Sequence, residues 1–343
     1  MKYFSLIKEA WKDYDNSRKI LSIADISIKV STNHVYRIIL KDGSKVIAKI
    51  SDYGYVSNFS EDHSIINALS INLTYPFENF LAKSLTKNGR LYIYEKKVNK
   101  SPIWVVFYNP IRTDKKPTKK QSIQRIKILG KELASFHLSC KNIRKILPHK
   151  SKTFNEDIKF IKKNIFSKTY FHFDKNEKKE IIKQCDIFIK NTRKIINKND
   201  LLPVFIDWNI GNFSVDNKYN FFSRWDYDWF RIGHRTLDFY FLSRVCSEQG
   251  DSTLFTYSPL PLMEKRFMIF LKSYHKIYPL KNYDFLLIPE MYRFFILNYV
   301  IKDGFRFFNK HIAKKLIKDS VNQYLPNIDK LVSSNEIKDY VLS

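Results

Sequence analysis

Glycine is scarce, with 8 in 343 residues. A glycine-rich loop of the strong kind, whose backbone amides cradle phosphates, is therefore not available to this chain. Cysteine is scarcer still. Cys140, Cys185 and Cys246 lie far apart and lack metal-ligand spacing, which argues against a disulfide framework or a zinc module. Reduced, buried thiols in a cytoplasmic protein are the expectation. No apolar run is long enough to span a bilayer, and Met1 to Glu9 carry no signal-peptide hydrophobic region. Acidic residues are outnumbered: Lys and Arg total 60 against 34 Asp and Glu, a net charge of +26. That excess suits nucleic acid, anionic lipid or an anionic substrate. Its tight cluster, Lys115-Lys116-Pro117-Thr118-Lys119-Lys120, reads as a solvated loop, and no zinc-finger or RNP-like motif accompanies it.

What is present is apolar and aromatic residue in quantity. Hydrophobic residues make up 44% and aromatic residues 16%, enough for a large core rather than disorder. The length suggests two lobes or domains. The informative stretch is Val204-Phe205-Ile206-Asp207-Trp208-Asn209-Ile210-Gly211-Asn212-Phe213-Ser214-Val215. An apolar run of strand type delivers Asp207 to a short loop that closes on Asn212, and a second apolar run follows. Asp216-Asn217 predicts a turn and Tyr219 to Phe222 a returning strand, so Asp226 comes just after a hairpin. Asp and Asn also cap loops and make Asx-turns, so the three residues alone suit a structural role better than a catalytic one. A carboxylate, an amide five residues on and a second carboxylate after a hairpin is also the arrangement of kinase-type phosphotransferases.

Asp207 to Asn212 followed by Asp226 resembles the catalytic core of the aminoglycoside phosphotransferase and choline kinase-like family. The family's usual motif is His-Gly-Asp-x-x-x-x-Asn, followed by an Ile-Asp-Trp/Phe-type motif. Leu129-Gly130-Lys131-Glu132-Leu133-Ala134-Ser135-Phe136-His137 is similar to the Leu-Gly-x-x-Leu-Ala-x-Leu-His helix that precedes the catalytic segment there. The chain departs from the pattern at Phe205 and Ile206, which replace His and Gly, and at Asn209, where many members carry a second His. The motif histidine supports the loop and does not transfer the proton, so its loss bears on loop geometry and turnover and leaves the metal ligands in place.

The resemblance implies an α+β chain with a bilobal protein-kinase-like fold. Residues 1–98 are expected to form an N-terminal antiparallel-sheet lobe that binds nucleotide. Residues 99–343 are expected to form a larger, mainly helical lobe for catalysis and substrate binding. The implied reaction moves the γ-phosphoryl group of ATP, with Mg²⁺, to a hydroxyl of a small aminoglycoside-, choline- or sugar-like acceptor. Asp207 would orient the acceptor and take its proton. Asn212 and Asp226 would bind Mg²⁺ against the phosphates, and Lys49, in Ile47-Ala48-Lys49, would steady them. Glu61 is the expected helix partner of Lys49, with Asp62 a near-equal choice. Asp238 matches an Asp that fixes the loop through hydrogen bonds. Asp228 is either an assistant to metal or substrate or a solvated turn carboxylate.

Other elements follow from periodicity and turn residues. A helix is predicted over residues 2–13, and strands over Ile26–Val30, Val35–Leu40 and Lys45–Ile50, with a hairpin at Asp42-Gly43. The resemblance implies that the turn from Ser31 to His34 would cover the phosphates. A helix over Glu61–Leu69 would be capped by Ser60. Leu81–Ser84 and Arg90–Glu95 would pair, and the resemblance implies a nucleotide hinge at Tyr94 to Lys97. Pro102 to Lys120 reads as a loop-rich link with a short strand at Ile103–Phe107. Helices are expected over Ser122–Leu138, Phe154–Phe166, Lys175–Asn197 and much of the chain beyond Leu262. The acceptor itself stays open. Asp228, Glu248 and Asp251 would suit an amine, and the basic surface an anionic sugar phosphate or glycan. Alternative readings are a degenerate kinase-like protein with a binding or regulatory role, a basic nucleic-acid-binding protein and, ranked lower, a protein kinase.

Overall fold

The structure, a computed structural model, describes residues 3–27, 34–52, 55–98, 101–148, 152–167, 173–197, 200–251 and 256–343. Helix α1, Phe4–Tyr14, presents Leu6, Ile7, Ala10 and Trp11 on one buried side, the spacing of an amphipathic helix. Strands β1 (Ile20–Asp25), β2 (His34–Leu40) and β3 (Lys45–Ser51) follow as an antiparallel meander. Gly43, at φ 81, makes the β2–β3 turn, where a side chain would strain the backbone. Strand β1 begins earlier than the alternation at Ile26–Val30 suggested. It is a bulged edge strand, irregular between Ile20 and Ser22, so its apolar residues do not alternate cleanly. The expected strand positions 28–30 and the turn at 31–33 lie outside the described residues.

Helix α2, Val56–Asn72, starts more than a turn before the predicted Ser60 cap. Phe59 and His63, one turn apart, stack with ring centroids 3.9 Å apart and extend the helix's buried stripe toward its N-terminus. A tight hairpin of β4 (Thr86–Lys87) and β5 (Arg90–Leu91) follows, then β6 (Ile93–Val98) and β7 (Ser101–Tyr108). Leu81 and Ser84 do not pair with that hairpin; they bridge to Arg224 and Tyr108. The five-stranded sheet runs β1-β2-β3-β7-β6. The segment expected as a short strand in a link is thus an inner strand, bonded to β3 on one side and β6 on the other. A division at residue 98 would cut this sheet. The chain leaves it after Tyr108, through residues 109–122, whereas Tyr94 to Lys97 lie inside β6.

The two faces of the sheet belong to different cores. Val46, Ala48 and Ile50 of β3, with Val105 and Phe107 of β7, pack on α1. Trp104, Val106 and Tyr108 face the other way, into a core shared with Ile65, Ile66 and Leu69 of α2 and with the helical part. Lys49 pairs with Val106 in register and so points to that second side.

Beyond the crossing, α3 (Ile123–Asn142) is capped by Ser122 and buries Ile126, Leu129, Leu133, Phe136 and His137, as its periodicity required. Helix α4 (Phe154–Asn164) and α5 (Lys175–Thr192) each begin with a capping box, Thr153 with Glu156 and Asp174 with Glu177. Strands β8 (Leu201–Val204) and β11 (Arg231–His234) pair around the candidate site, and β9 (Phe213–Val215) pairs with β10 (Phe221–Arg224). The returning strand starts at Phe221, because Tyr219 takes φ 73 inside a turn capped by Asp216. A helical array completes the chain: α6 (Phe239–Cys246), α7 (Lys265–His275), α8 (Asn282–Phe295), α9 (Gly304–Phe307), α10 (Lys310–Asp319), α11 (Leu325–Leu331) and α12 (Ser334–Leu342). Residues 296–302 and 320–324 form wider π-turns inside it. No helix among the described residues is long and apolar enough to cross a membrane.

Candidate active site

A buried lysine ammonium costs several kcal/mol unless it is paired. Lys49 is 7% exposed, and its Nζ lies 2.9 Å from Asp226 Oδ1 and 2.6 Å from Asp228 Oδ1. These partners are 177 and 179 positions away, so the pair ties the sheet to the helical part. Burial alone would lower the lysine's pKa; Asp226 and Asp228 outweigh it and hold the ammonium charged. Asp226 in turn sits below its ordinary value, because Lys49 outweighs the effect of burial. Asp228, weighed from sequence as a solvated turn residue, has a side chain only 8% exposed. Glu61 lies in the second turn of α2, and the ion pairs of Lys49 run to Asp226 and Asp228 instead.

Asp226 lies two residues beyond β10 and adopts φ 66, a left-handed conformation that Asp tolerates better than most residues. Trp225 N donates to Asn212 O at 3.0 Å, which seats the Asp226 segment beside the Asp207 loop. Within the loop, Asn212 Nδ2 donates to Asp207 O at 3.3 Å and Asn212 N to Asn209 O at 2.9 Å. Asn209 Nδ2 donates to Asp207 Oδ1, an Asx-type arrangement that orients the carboxylate. The pKa of Asp207 is pushed up to about 7, by burial first and by Asp226 second. A carboxylate at that value is poised to accept a proton near neutral pH. The structure therefore brings Lys49, Asp207, Asn212 and Asp226 together.

The loop backbone explains the unusual Phe205-Ile206 pair. Ile206 has φ 62, the conformation a glycine adopts freely and a β-branched residue resists. Such a residue costs on the order of 1–3 kcal/mol and persists only where its surroundings fix it. Asp238 Oδ1 accepts from Phe205 N at 2.9 Å and Ile206 N at 2.6 Å. Its Oδ2 lies 2.9 Å from His137 Nε2, and His137 Nδ1 lies 2.8 Å from the Tyr274 hydroxyl. Burial lowers the pKa of His137, against the pull of Asp238. His137 of the Leu129–His137 segment is thus part of the loop's support. On the loop's far end, Asp251 Oδ2 accepts from Ile210 N at 3.0 Å.

Sequence reasoning gave no role to Arg224. It is wholly buried; its Nη2 donates to Asp207 O at 3.0 Å and to Phe205 O at 3.4 Å. A charged residue among Phe221, Phe222 and Trp225, two positions before Asp226, was the available signal. The acids suggested for an amine acceptor are all engaged: Asp228 by Lys49, Glu248 by Lys120 and Arg266, and Asp251 by Arg244 at 3.7 Å.

A cavity of about 380 Å³ adjoins Asp228. Its walls come from α2 (Phe59, Asp62), α4 (Asp157, Phe160) and the 296–302 π-turn (Tyr299, Lys302). Asp157 pairs there with Arg231 at 3.0 Å and with Lys302 at 2.9 Å. Among the described residues, no group of three or more His, Cys, Asp and Glu side chains could hold a metal by itself. A magnesium bound in part by nucleotide phosphates requires only one or two protein carboxylates. The chemistry of Asp226 and the Asn212 amide fits such a partial oxygen set, and Asp226 Oδ1 already holds one cation, the Lys49 ammonium.

No family model and no curated protein matches the chain. Solved structures do. The chain is similar to amicoumacin kinase hAmiN in complex with AMP-PNP, Ca²⁺ and Ami, at 15% identity and a TM-score of 0.63, over 97% of this chain and 95% of that one. It is similar to a microcompartment-associated aminopropanol kinase at 13% identity and a TM-score of 0.59, over 96% and 99%. It is similar to the streptomycin–ATP–APH(2")-IIa ternary complex at 14% identity and a TM-score of 0.51, over 98% and 99%. At these identities the likeness is one of fold. The chain has the bilobal, protein-kinase-like fold of the aminoglycoside phosphotransferase and choline kinase-like proteins, with an N-terminal antiparallel sheet and a larger helical part.

Proposed function

We propose that the protein transfers the γ-phosphoryl group of ATP, with Mg²⁺, to a hydroxyl of a small molecule in the cytoplasm. The observation that carries the reading is the convergence of Lys49 from the sheet with Asp226, Asn212 and Asp207 from the helical part. Phosphoryl transfer needs little covalent chemistry from a protein; positioning and charge neutralisation do most of it. In this reading Asp226 and Asn212 would hold the metal, which would supply neutralisation of phosphate charge. Lys49, freed from Asp226, moves to the phosphates while Asp228 keeps it in reach. Asp207 orients the acceptor hydroxyl and takes its proton. Residues 3–108 form the nucleotide-binding lobe, and the remainder the catalytic and substrate-binding lobe.

The acceptor's body, and not its reacting hydroxyl, is assigned to the cavity beside Asp228, because Asp207 is not among the residues that line it. Its aromatic walls give an apolar body contact area, and its charges are largely paired within the protein. The net charge of +26 is therefore not concentrated there, which favours a neutral or zwitterionic polar acceptor over a sugar phosphate.

The test is a thermal shift with ATP and Mg²⁺, followed by turnover against candidate alcohols. Asp226→Ala is expected to abolish the Mg²⁺-dependent shift, and Asp207→Asn to keep the shift while transfer is lost. Transfer that persists in purified Asp207→Asn overturns the assigned role. A shift without transfer to any acceptor selects the degenerate, binding-only reading, for which the Phe205-Ile206 pair is the motive.

A further inference from the structure

The loop that presents Asp207 is gripped from two sides by buried charges of opposite sign. Its donors are taken by a carboxylate: Asp238 Oδ1 receives the amides of Phe205 and Ile206. Its acceptors are taken by a guanidinium: Arg224 Nη2 reaches the carbonyls of Phe205 and Asp207. The same guanidinium lies over the rings of Trp208 and Phe205, at 4.2 Å and 4.9 Å. All three of these residues, 205, 207 and 208, flank or follow Ile206, the β-branched residue held at φ 62.

Arg224 has a high desolvation burden for this work. Its Nε and Nη1 are buried with no hydrogen-bond partner among the described residues. Among the described residues no carboxylate lies within salt-bridge distance of it, although Asp207, Asp226 and Asp238 are all close enough to feel its charge. A methionine or leucine would fill this slot between aromatic rings with less cost. The arrangement makes sense as a device for pinning carbonyl groups that would otherwise face an apolar wall unsatisfied.

We propose that Arg224 is the positioning residue of the Asp207 loop, holding it from the carbonyl side in the left-handed bend that aims Asp207 into the cleft. The role replaces what a smaller residue at 206 would achieve by backbone freedom alone. Arg224 acts through the loop and touches no reactant. Arg224 is the last residue of β10, two positions before Asp226. One short segment therefore sets both the metal-side carboxylate and the acceptor-side carboxylate, and couples their spacing.

This inference rests on the phosphotransferase reading for its kinetic arm, and a second arm is independent of it. Arg224→Met keeps a long apolar side chain between Phe205 and Trp208 and removes the donors. Arg224→Lys restores a charged donor. The expected result is a fall in kcat of about 100-fold for Arg224→Met, the scale of a small misplacement of a catalytic group, with KM for Mg-ATP changed less than about threefold. Arg224→Lys is expected to recover at least about tenfold of that loss. In the second arm, hydrogen exchange at the Asp207 and Trp208 amides, which donate to Phe205 O and Ile206 O, accelerates at least about tenfold in Arg224→Met relative to core amides of α3. Arg224→Gln, which keeps a donor amide, carries both comparisons if Arg224→Met does not fold.

Unchanged kcat and unchanged exchange overturn the proposal. So does a uniform loss, in which kcat, KM and exchange throughout the helical part change together and lysine gives no rescue. If the wild-type protein turns over no acceptor, the phosphotransferase reading fails by itself, and the exchange comparison still decides the role of Arg224.

Discussion

Single residues in this protein are governed by burial more than by neighbours in sequence. Lys49, Arg224 and Asp238 are each enclosed in the core, and each is tolerated because a specific partner from another segment meets it. Glu290 shows the opposite outcome. Burial pushes its pKa up to about 7 even though Arg293 and Asn191 pull it down. Its folded value thus lies above the unfolded one, so the folded state binds the proton more tightly. Stability from this group is full below about pH 4.5 and is lost as pH rises through about 7. Glu290→Gln is therefore expected to gain stability relative to wild type as pH increases from 5 to 8, on the order of 2 kcal/mol at the upper end. Paired urea melts at the two pH values check it. An equal difference at both values would show that Glu290 does not titrate in this range.

At the scale of elements, the close approach of α3 and α7 sets the floor under the site. Gly130 of α3 lies against the α7 backbone: a Cβ there would come within 2.4 Å of Phe270 O and 3.1 Å of Ser273 Cβ. The carbonyl is main chain in a helix and cannot swing aside. This gives a packing reason for the glycine in the Leu129–His137 segment, where backbone conformation gives none. It also matters for His137, two turns further along α3, which must reach both Asp238 and Tyr274 of α7. Gly130→Ala is expected to destabilise by about 2 kcal/mol despite alanine's better helix propensity, since overpacking typically costs 1–3 kcal/mol. A thermal or denaturant melt measures it. Stability equal to or above wild type would mean that α7 shifts freely and that the helix pair is not the rigid base assumed for the loop.

At the scale of the whole molecule, the sheet and the helical part are joined by a buried cluster of paired charges. Lys49 bridges them through Asp226 and Asp228, while the excess positive charge is distributed over the rest of a chain of net +26. Self-repulsion of that size opposes compactness and is screened by salt. Raising NaCl from about 20 mM to about 200 mM is accordingly expected to raise the melting temperature of the ligand-free protein. A fall in melting temperature over that range would show that the buried pairs, and not the surface excess, dominate the salt response.

Much of this was legible in the chain itself. Strand alternation, the Asp42-Gly43 turn and the helical stripe of α3 are local signals, because they arise from periods of 2 and 3.6 residues and from turn residues. The order of Asp207, Asn212 and Asp226 was legible for the same reason, since loop and hairpin lie within twenty positions. What sequence could not supply were pairings whose energy comes from folding itself. The bulged edge strand β1 and the inner place of β7 depend on partners across the sheet. Asp228 rather than a helix α2 acid beside Lys49, and Arg224 beneath the Asp207 loop, depend on which charges burial leaves without water. Local periodicity determined the elements and the order of the chemistry-bearing residues; the tertiary structure alone decided which buried charges meet, because desolvation acts only once distant segments have excluded solvent together.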